Sequence, residues 1–269
     1  DLEADWLPRE LLNHERETLG FYLSGHPIEA YREIIGQICS GTMRELVDQH
    51  ALPPVIGPDG KRVWQPRPKL MFAAWVTDIR FFKGDKSADG KGGMASFKVT
   101  LDDQTQQMST WIDADRWPRF QSWVKVDGLV FVIAEIGLSP GREGREAEPR
   151  LYGPEFLDLN GVLRDYVQRI TLEWRKPAAD VLSLHKAIKP SCGPTGAPVS
   201  VHYSNGRERC VLDFGAEWKL RLDEASLTLL QQMLGPDCVK VSYKRYVPPV
   251  TERRFERNAA FAGGGFDDE

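Results

Sequence analysis

The sequence predicts an α+β chain with four parts: a helical lead-in, a five-stranded β-barrel, a small α+β sandwich domain and a flexible tail. Three observations predict it. Apolar residues recur at helical spacing up to about residue 50; between residues 70 and 157 the runs become strand-like, Leu70 to Phe82 apolar and aromatic and Ala95 to Leu101 alternating; and beyond residue 166 strand-like and helix-like runs alternate. A chain of 269 residues is long enough for about two domains, and 41% hydrophobic with 28% charged residues is ordinary for a globular protein.

Residues 1–50 read as the lead-in. Leu7, Leu11, Leu12 and Leu19 form a first helical stripe, and Ile34, Ile35, Ile38, Met43 and Leu46 lie on a second run from Ile28 to Val47, with Gly25 to Pro27 as the turn between them. In residues 51–69, Pro53, Pro54, Gly57, Pro58, Gly60, Pro66 and Pro68 exclude helix interiors and central strands, so this stretch is a Pro/Gly linker.

Residues 70–160 carry the strand signals: Leu70 to Phe82, Ala95 to Leu101, Gln107 to Ile112, Gly128 to Leu138 and Arg150 to Leu157. A short helix is expected over Asp115 to Val124, with Pro118 in its first turn. Three strands, a helix and two strands is the order of a five-stranded Greek-key OB barrel, in which the helix plugs the barrel end. The two longest loops join strands 1–2 and 4–5, where OB-folds grip nucleic acid or oligosaccharide.

Residues 166–246 read as a second domain. Gln168 to Trp174 is a strand and Pro177 to Ile188 a helix; Ala197 to Tyr203 and Arg209 to Phe214 form a hairpin over Asn205-Gly206; and Trp218 to Leu222 extends the sheet. Asp223 caps a helix from Glu224 to Leu234, closed by Gly235 and Pro236, and Val239 to Tyr243 is the last strand. Both helices are expected on one sheet face. Residues 247–269 combine Pro248 and Pro249, a basic stretch, three glycines and a final acidic triplet, the composition of a disordered tail.

The net charge of −4 excludes a uniformly basic coat, so any nucleic-acid contact must be a local patch. One such patch is present. Around strands 1 and 2, Arg80, Lys83, Lys86, Lys91 and Lys98 outnumber Asp85 and Asp89, and Trp75, Phe81, Phe82, Phe97 and Trp111 are interleaved with them. Cations track phosphates and aromatic faces stack bases, which together make sequence-tolerant single-strand binding. The plainer alternative is that Phe97 and Trp111 are barrel core and the lysines a solvated loop. From this set the expected DNA contacts are Arg80, Phe82, Lys83, Lys86, Lys91, Lys98 and Trp111.

No catalytic residues, metal site or cofactor are expected. Cys39, Cys192, Cys210 and Cys238 are scattered without ligand spacing and read as buried free thiols. His26, between Gly25 and Pro27, reads as a structural turn residue, and Asp102 and Asp103 as turn formers between strands 2 and 3. No apolar run approaches membrane-spanning length, and the acidic start is unlike a signal peptide, so a cytoplasmic location with no membrane partner is expected.

Glu15, Arg16, Glu17, Leu19, Gly20, Tyr22, Leu23, Ser24, Gly25, His26 and Pro27 carry one further signal. Their order resembles the segment that precedes the OB-fold in bacterial replicative DNA polymerase III alpha subunits. Lys83-Gly84, Met94 to Phe97 and Leu101 to Asp103 are similar to that family's OB-fold. Pro198 to Tyr203 and Leu212 to Trp218 are similar to its domain that binds tau, the clamp-loader subunit. The resemblance implies a non-catalytic C-terminal part of a DNA-directed DNA polymerase that contacts single-stranded template and tethers the enzyme to tau. It implies further contacts with the holoenzyme, namely the sliding clamp and proofreading subunit, through upstream domains. On it, Trp218, Arg253, Arg254, Phe255, Phe261 and Phe266 become the expected partner contacts, the tail alternating phenylalanine anchors with charge.

The chain departs from that family in the longer loop Asp85 to Gly93, in Gln106 where a glycine is usual, and in Ser109 where an acidic residue is usual. It lacks the Arg-Gln-Arg-Pro strand of the error-prone paralogue and carries a further domain, which favours the replicative enzyme. The alternatives are an OB-fold protein-interaction module and a tRNA anticodon-binding module, although residues 166–246 carry no synthetase signature.

Overall fold

The computed structural model describes residues 25–53, 58, 67–84, 94–139, 147–175, 181–204 and 208–249. The first lead-in stripe, most of the linker, the tips of both long loops, the start of the Pro177 helix, the Asn205-Gly206 turn and the tail beyond residue 249 lie outside them.

The second lead-in run is not one helix. A 3₁₀ turn (Pro27–Tyr31) leads into α1 (Arg32–Ile38), and the chain re-enters helix at α2 (Met43–His50). Thr42 explains the restart: its hydroxyl accepts from the Glu45 N–H, and the Glu45 carboxylate accepts from the Thr42 N–H. This reciprocal cap satisfies donors that a continuous helix would not leave free. His26 caps the 3₁₀ turn, its Nδ1 accepting from the Ile28 N–H at 3.2 Å, in keeping with a structural role.

Five antiparallel strands follow, β1 (Lys69–Phe82), β2 (Ser96–Asp102), β3 (Gln107–Asp113), β4 (Leu129–Leu138) and β5 (Pro149–Leu157), in the order β3-β2-β1-β4-β5. The 14-residue β1 pairs with β4 along Lys69 to Trp75 and with β2 along Trp75 to Phe82, changing partner at an irregularity between Val76 and Asp78 that lets one strand turn a corner.

The expected closed barrel is not formed. β3 and β5 are the edges of the sheet and share no strand ladder. β5 explains this: Gly153 adopts a left-handed conformation (φ 56°), and Pro154 has no N–H to donate. The Pro154 carbonyl instead accepts from Arg116 Nη2 at 3.0 Å. The helix expected over Asp115 to Val124 shrinks to a 3₁₀ turn (Trp117–Arg119), with Pro118 in its first turn as expected; beyond it the Gln121 N–H donates to the Trp117 carbonyl and the Val124 N–H to the Phe120 carbonyl, and Phe120 and Val124 are buried at the sheet's end.

An unanticipated helix, α3 (Leu159–Tyr166), follows β5, with the Asp158 carboxylate accepting from the Gly161 N–H at its start. A second sheet then has the order β11-β6-β8-β9, built from β6 (Val167–Trp174), β8 (Val199–Ser204), β9 (Arg209–Asp213) and β11 (Val239–Tyr243). β6 and β8 run parallel, so the helix between them, α4 (Val181–Ile188), is a crossover. α5 (Glu224–Leu234) starts from an Asp223 cap as expected. Leu184, Ile188, Leu230 and Leu234 pack in one cluster with Ile170, Leu172, Val199 and Val201, so both helices cover one sheet face. Residues 218–222 do not extend this sheet. Lys219 and Leu220 form β10, which pairs with β7 (Cys192–Gly193) in a separate two-stranded ribbon.

Two hydrophobic clusters result. One lies inside the five-stranded sheet and includes Leu70, Phe72, Ala74, Val76, Val130 and Val132, together with Met43 and Leu46 of α2. The other holds α1, α3 and the second sheet, and it also takes Met71, Ala73 and Phe131 from the opposite side of β1 and β4. These two strands are buried on both faces, which accounts for the unbroken apolar run at the start of β1. Cys39 and Cys238 are buried free thiols, but Cys192 is only partly covered and Cys210 is exposed on β9, an edge strand without a covered face.

Candidate nucleic-acid interface

The strand registers decide which of the expected contacts share a surface. Arg80, Lys98 and Trp111 stand side by side across β1, β2 and β3. Phe82, Ser96 and Asp113 form the next row on the same face, and Asp78, Thr100 and Ser109 the row beyond. The residues of the row between these two, Ile79, Val99 and Thr110, turn to the other side, where Val99 and Thr110 are buried. Phe82 is 42% and Trp111 41% exposed, and their rings meet edge to face with centroids 4.9 Å apart. Trp111 is therefore not core. Thr77, Asp78, Arg80, Lys98, Thr100, Gln107 and Ser109 line a shallow groove of about 350 Å³ beside this pair.

Phe97 is different. It stacks on Trp117 with centroids 4.3 Å apart and packs against Phe81 at 5.1 Å, so it serves the inner face.

The charge on the described part of the face is balanced. Arg80 pairs with Asp78 at 2.6 Å in an exposed ion pair, and Lys98 is set against Asp113 in the adjacent row. Lys83 follows the end of β1, while Lys86 and Lys91 lie outside the described residues. A hydroxyl pair, Thr100 Oγ1 and Ser109 Oγ at 3.3 Å, lines the groove.

Asp103 is a turn former, as expected, but it has a second task. Its Oδ1 accepts from the N–H groups of Thr105 and Gln106 and from the Thr105 hydroxyl, while Oδ2 accepts from the Met43 N–H at 2.6 Å. The β2–β3 turn thereby clasps the first turn of α2, a contact across sixty residues that local reading does not reach. Asp102 only closes its own turn onto the Gln104 N–H.

Trp218 lies in a 3₁₀ turn (Ala216–Trp218), 36% exposed, its ring 5.4 Å from that of His185 on α4. Arg253, Arg254, Phe255, Phe261 and Phe266 lie outside the described residues. Among the described residues no group of His, Cys, Asp and Glu side chains could hold a metal ion, and no helix is long and apolar enough to cross a membrane.

Fold and surface together define a mixed α+β chain whose larger sheet carries an outward face where Arg80, Lys98, Phe82 and Trp111 stand with Asp78 and Asp113. Comparison with known proteins narrows the class. The chain is homologous to about the C-terminal 19% of bacterial DNA polymerase III alpha subunits. It is 23% identical to that of Vibrio cholerae over 242 residues, 89% of this chain and 19% of the relative. It is 24% identical to that of Escherichia coli K12 over 241 residues, covering 88% and 19%, and 24% identical to that of Xylella fastidiosa over 250 residues, covering 91% and 20%. The chain thus spans about a fifth of the length of these relatives. It matches no family model. A replication protein A heterotrimer bound to single-stranded DNA aligns with a TM-score of 0.25 at 13% identity, over 55% of this chain and 32% of that one, a likeness too slight to support any argument.

Proposed function

We propose that this chain is a non-catalytic part of a replicative DNA polymerase that holds single-stranded template and tethers the enzyme to its clamp loader. The reading takes residues 70–160 as an OB-fold unit, with β3 and β5 bridged by Arg116 instead of a ladder, and residues 166–246 as the unit that engages the tau subunit. The observation that carries it is the shared row of Arg80, Lys98 and Trp111, with Phe82 against Trp111, on the strand 2–3 side where OB-folds take single strands. On this reading Trp111 and Phe82 stack bases, while Arg80, Lys83 and Lys98, joined by Lys86 and Lys91, follow phosphates. Trp218 and the tail residues Arg253, Arg254, Phe255, Phe261 and Phe266 contact the partner.

Fluorescence anisotropy with a labelled oligothymidylate tests it. Trp111→Ala and Lys98→Ala should each weaken binding, and the triple variant Lys83→Ala, Lys86→Ala and Lys91→Ala should also flatten the salt dependence. Unchanged affinity and slope would overturn the assignment. Capture of tau by the chain, lost on substitution of Trp218 by Ala, tests the second half.

The balance of Arg80 and Lys98 against Asp78 and Asp113 favours one rival, a face that binds protein instead of DNA. Retention of tau by a chain that ignores every oligonucleotide would select it.

A further inference from the structure

We infer that β9 is a self-complementary edge through which two copies of this chain pair. This inference is independent of the nucleic-acid reading. β9 ends the second sheet: among the described residues β8 pairs with one side of it and no strand with the other. All five of its residues are exposed, including Val211 at 60% and Leu212 at 55%.

The direction of its free backbone groups follows from one hydrogen bond. The Phe214 N–H donates to the Val199 carbonyl at 2.9 Å, next to a register that pairs Val201 with Leu212 and Tyr203 with Cys210. Antiparallel ladders alternate, so Leu212 and Cys210 also turn their N–H and C=O toward β8. Arg209, Val211 and Asp213 turn theirs outward, forming an open row that another strand can pair with.

Charge decides which strand fits. In an antiparallel pairing with a second copy, centred on Val211, Val211 lies opposite Val211 and Arg209 lies opposite Asp213 of the other copy, twice by symmetry. The residues brought opposite are the three whose backbone groups point outward, so the hydrogen-bond alternation and the charge pattern select the same register. Cys210 then faces Leu212, an apolar pair on the other side of the ladder. Asp213 is already positioned, since the Ser200 hydroxyl and Arg169 bind its carboxylate, with Arg169 at 3.4 Å. Charged ends usually keep sheet edges apart; opposite signs at the two ends of this one make it attract itself. A single strand pair buries little, so the dimer belongs with weak, transient associations.

Sedimentation equilibrium of the full chain over rising concentration should show a mass climbing toward twice the monomer's. Arg209→Asp and Asp213→Arg place like charges opposite each other and should each remain monomeric, with near-ultraviolet circular dichroism confirming that both fold. An equimolar mixture of the two restores both opposite-sign pairs and should dimerise. Val211→Cys in a Cys210→Ser background should form an intermolecular disulfide under mild oxidation, since Val211 meets its own copy only in this register. Four results would each overturn the proposal: a wild-type chain that stays monomeric, single variants that dimerise like wild type, a mixture that does not, or no disulfide from a folded Val211→Cys chain.

Discussion

Trp111 and Phe97 occupy neighbouring strands and carry opposite consequences. Trp111 faces solvent, so Trp111→Ala should leave the unfolding midpoint nearly unchanged while costing about 1–3 kcal/mol of single-strand affinity. Phe97 is partly buried and stacked on Trp117 at the inner side, and Phe97→Ala should cost about 1–3 kcal/mol of stability. Urea melts and anisotropy on the same two proteins separate the roles; a Trp111→Ala chain that unfolds as early as Phe97→Ala would remove Trp111 from the binding face. Asp103 binds four donors from two elements, and Asp103→Ala should lower stability by about 2–3 kcal/mol, well beyond Asp102→Ala. His26 adds a pH dependence. Burial holds its imidazole below the ordinary value of 6.5, although Asp102, Asp103 and Glu29 oppose the shift, and its Nδ1 must stay unprotonated to accept from Ile28. The unfolded chain therefore takes up the proton first: the stabilisation is complete above pH 6.5 and is lost as pH falls through the lower folded value. Thermal melts at about pH 7.5 and about pH 5.5 should differ more for wild type than for His26→Asn, which keeps a capping acceptor that does not titrate. Equal differences would remove His26 from the effect.

At the scale of elements, the ribbon of β7 and β10 depends on one glycine. Gly196 has φ +127°, and a Cβ there would stand 2.6 Å from the Leu220 carbonyl oxygen, a backbone atom that cannot swing aside. Gly196→Ala should therefore destabilise by about 1–3 kcal/mol or more in denaturant melts, while Gly193→Ala in the same ribbon, with open space around it, should cost far less. Equal costs would show that the ribbon yields easily. This ribbon was not legible in the sequence. Lys219 and Leu220 alternate like a sheet strand, but two residues carry too little pattern to name their partner. The longer strands were legible because β2 and β3 alternate over seven residues each and β1 is a fourteen-residue run rich in apolar and aromatic side chains, with turn residues at their ends. The Asp223 cap was legible because its signal is local. Pro118 was read as a permitted first-turn residue and stands in the first turn of the 3₁₀ segment, whose short length local spacing does not reveal, and α3 was missed because eight residues with one cap look like a loop. On the proposed binding face, strand order placed Arg80, Lys98 and Trp111 near one another. Only the register shows that they share a row, and that Phe97 does not join it.

The whole molecule is coupled through β1 and β4. Composition and spacing divide the chain near residue 160, and on the proposed reading the two halves have different tasks. The packing runs across that division. Leu70, Phe72, Ala74 and Val76 of β1 point into the five-stranded sheet, whereas Met71, Ala73 and Phe131 point into the cluster that also holds Ile170, Leu172, Val199 and Leu230 of the second half. The lead-in joins them again: the Ser40 N–H donates to the Met71 carbonyl at 2.7 Å, and the Tyr246 N–H donates to the Ile38 carbonyl at 2.9 Å. Two halves built on such a shared core unfold together. Calorimetry should therefore show one transition, with calorimetric and van't Hoff enthalpies in agreement. Phe131→Ala gives the sharper test, because Phe131 belongs to β4 by chain and to the second cluster by contact. Its truncation should cost about 3–5 kcal/mol and lower hydrogen-exchange protection of the β6 amides from Val167 to Trp174 as much as that of β4. Protection lost from β4 alone, or two resolved heat-absorption peaks, would mean that the halves are independent bodies joined by a chain.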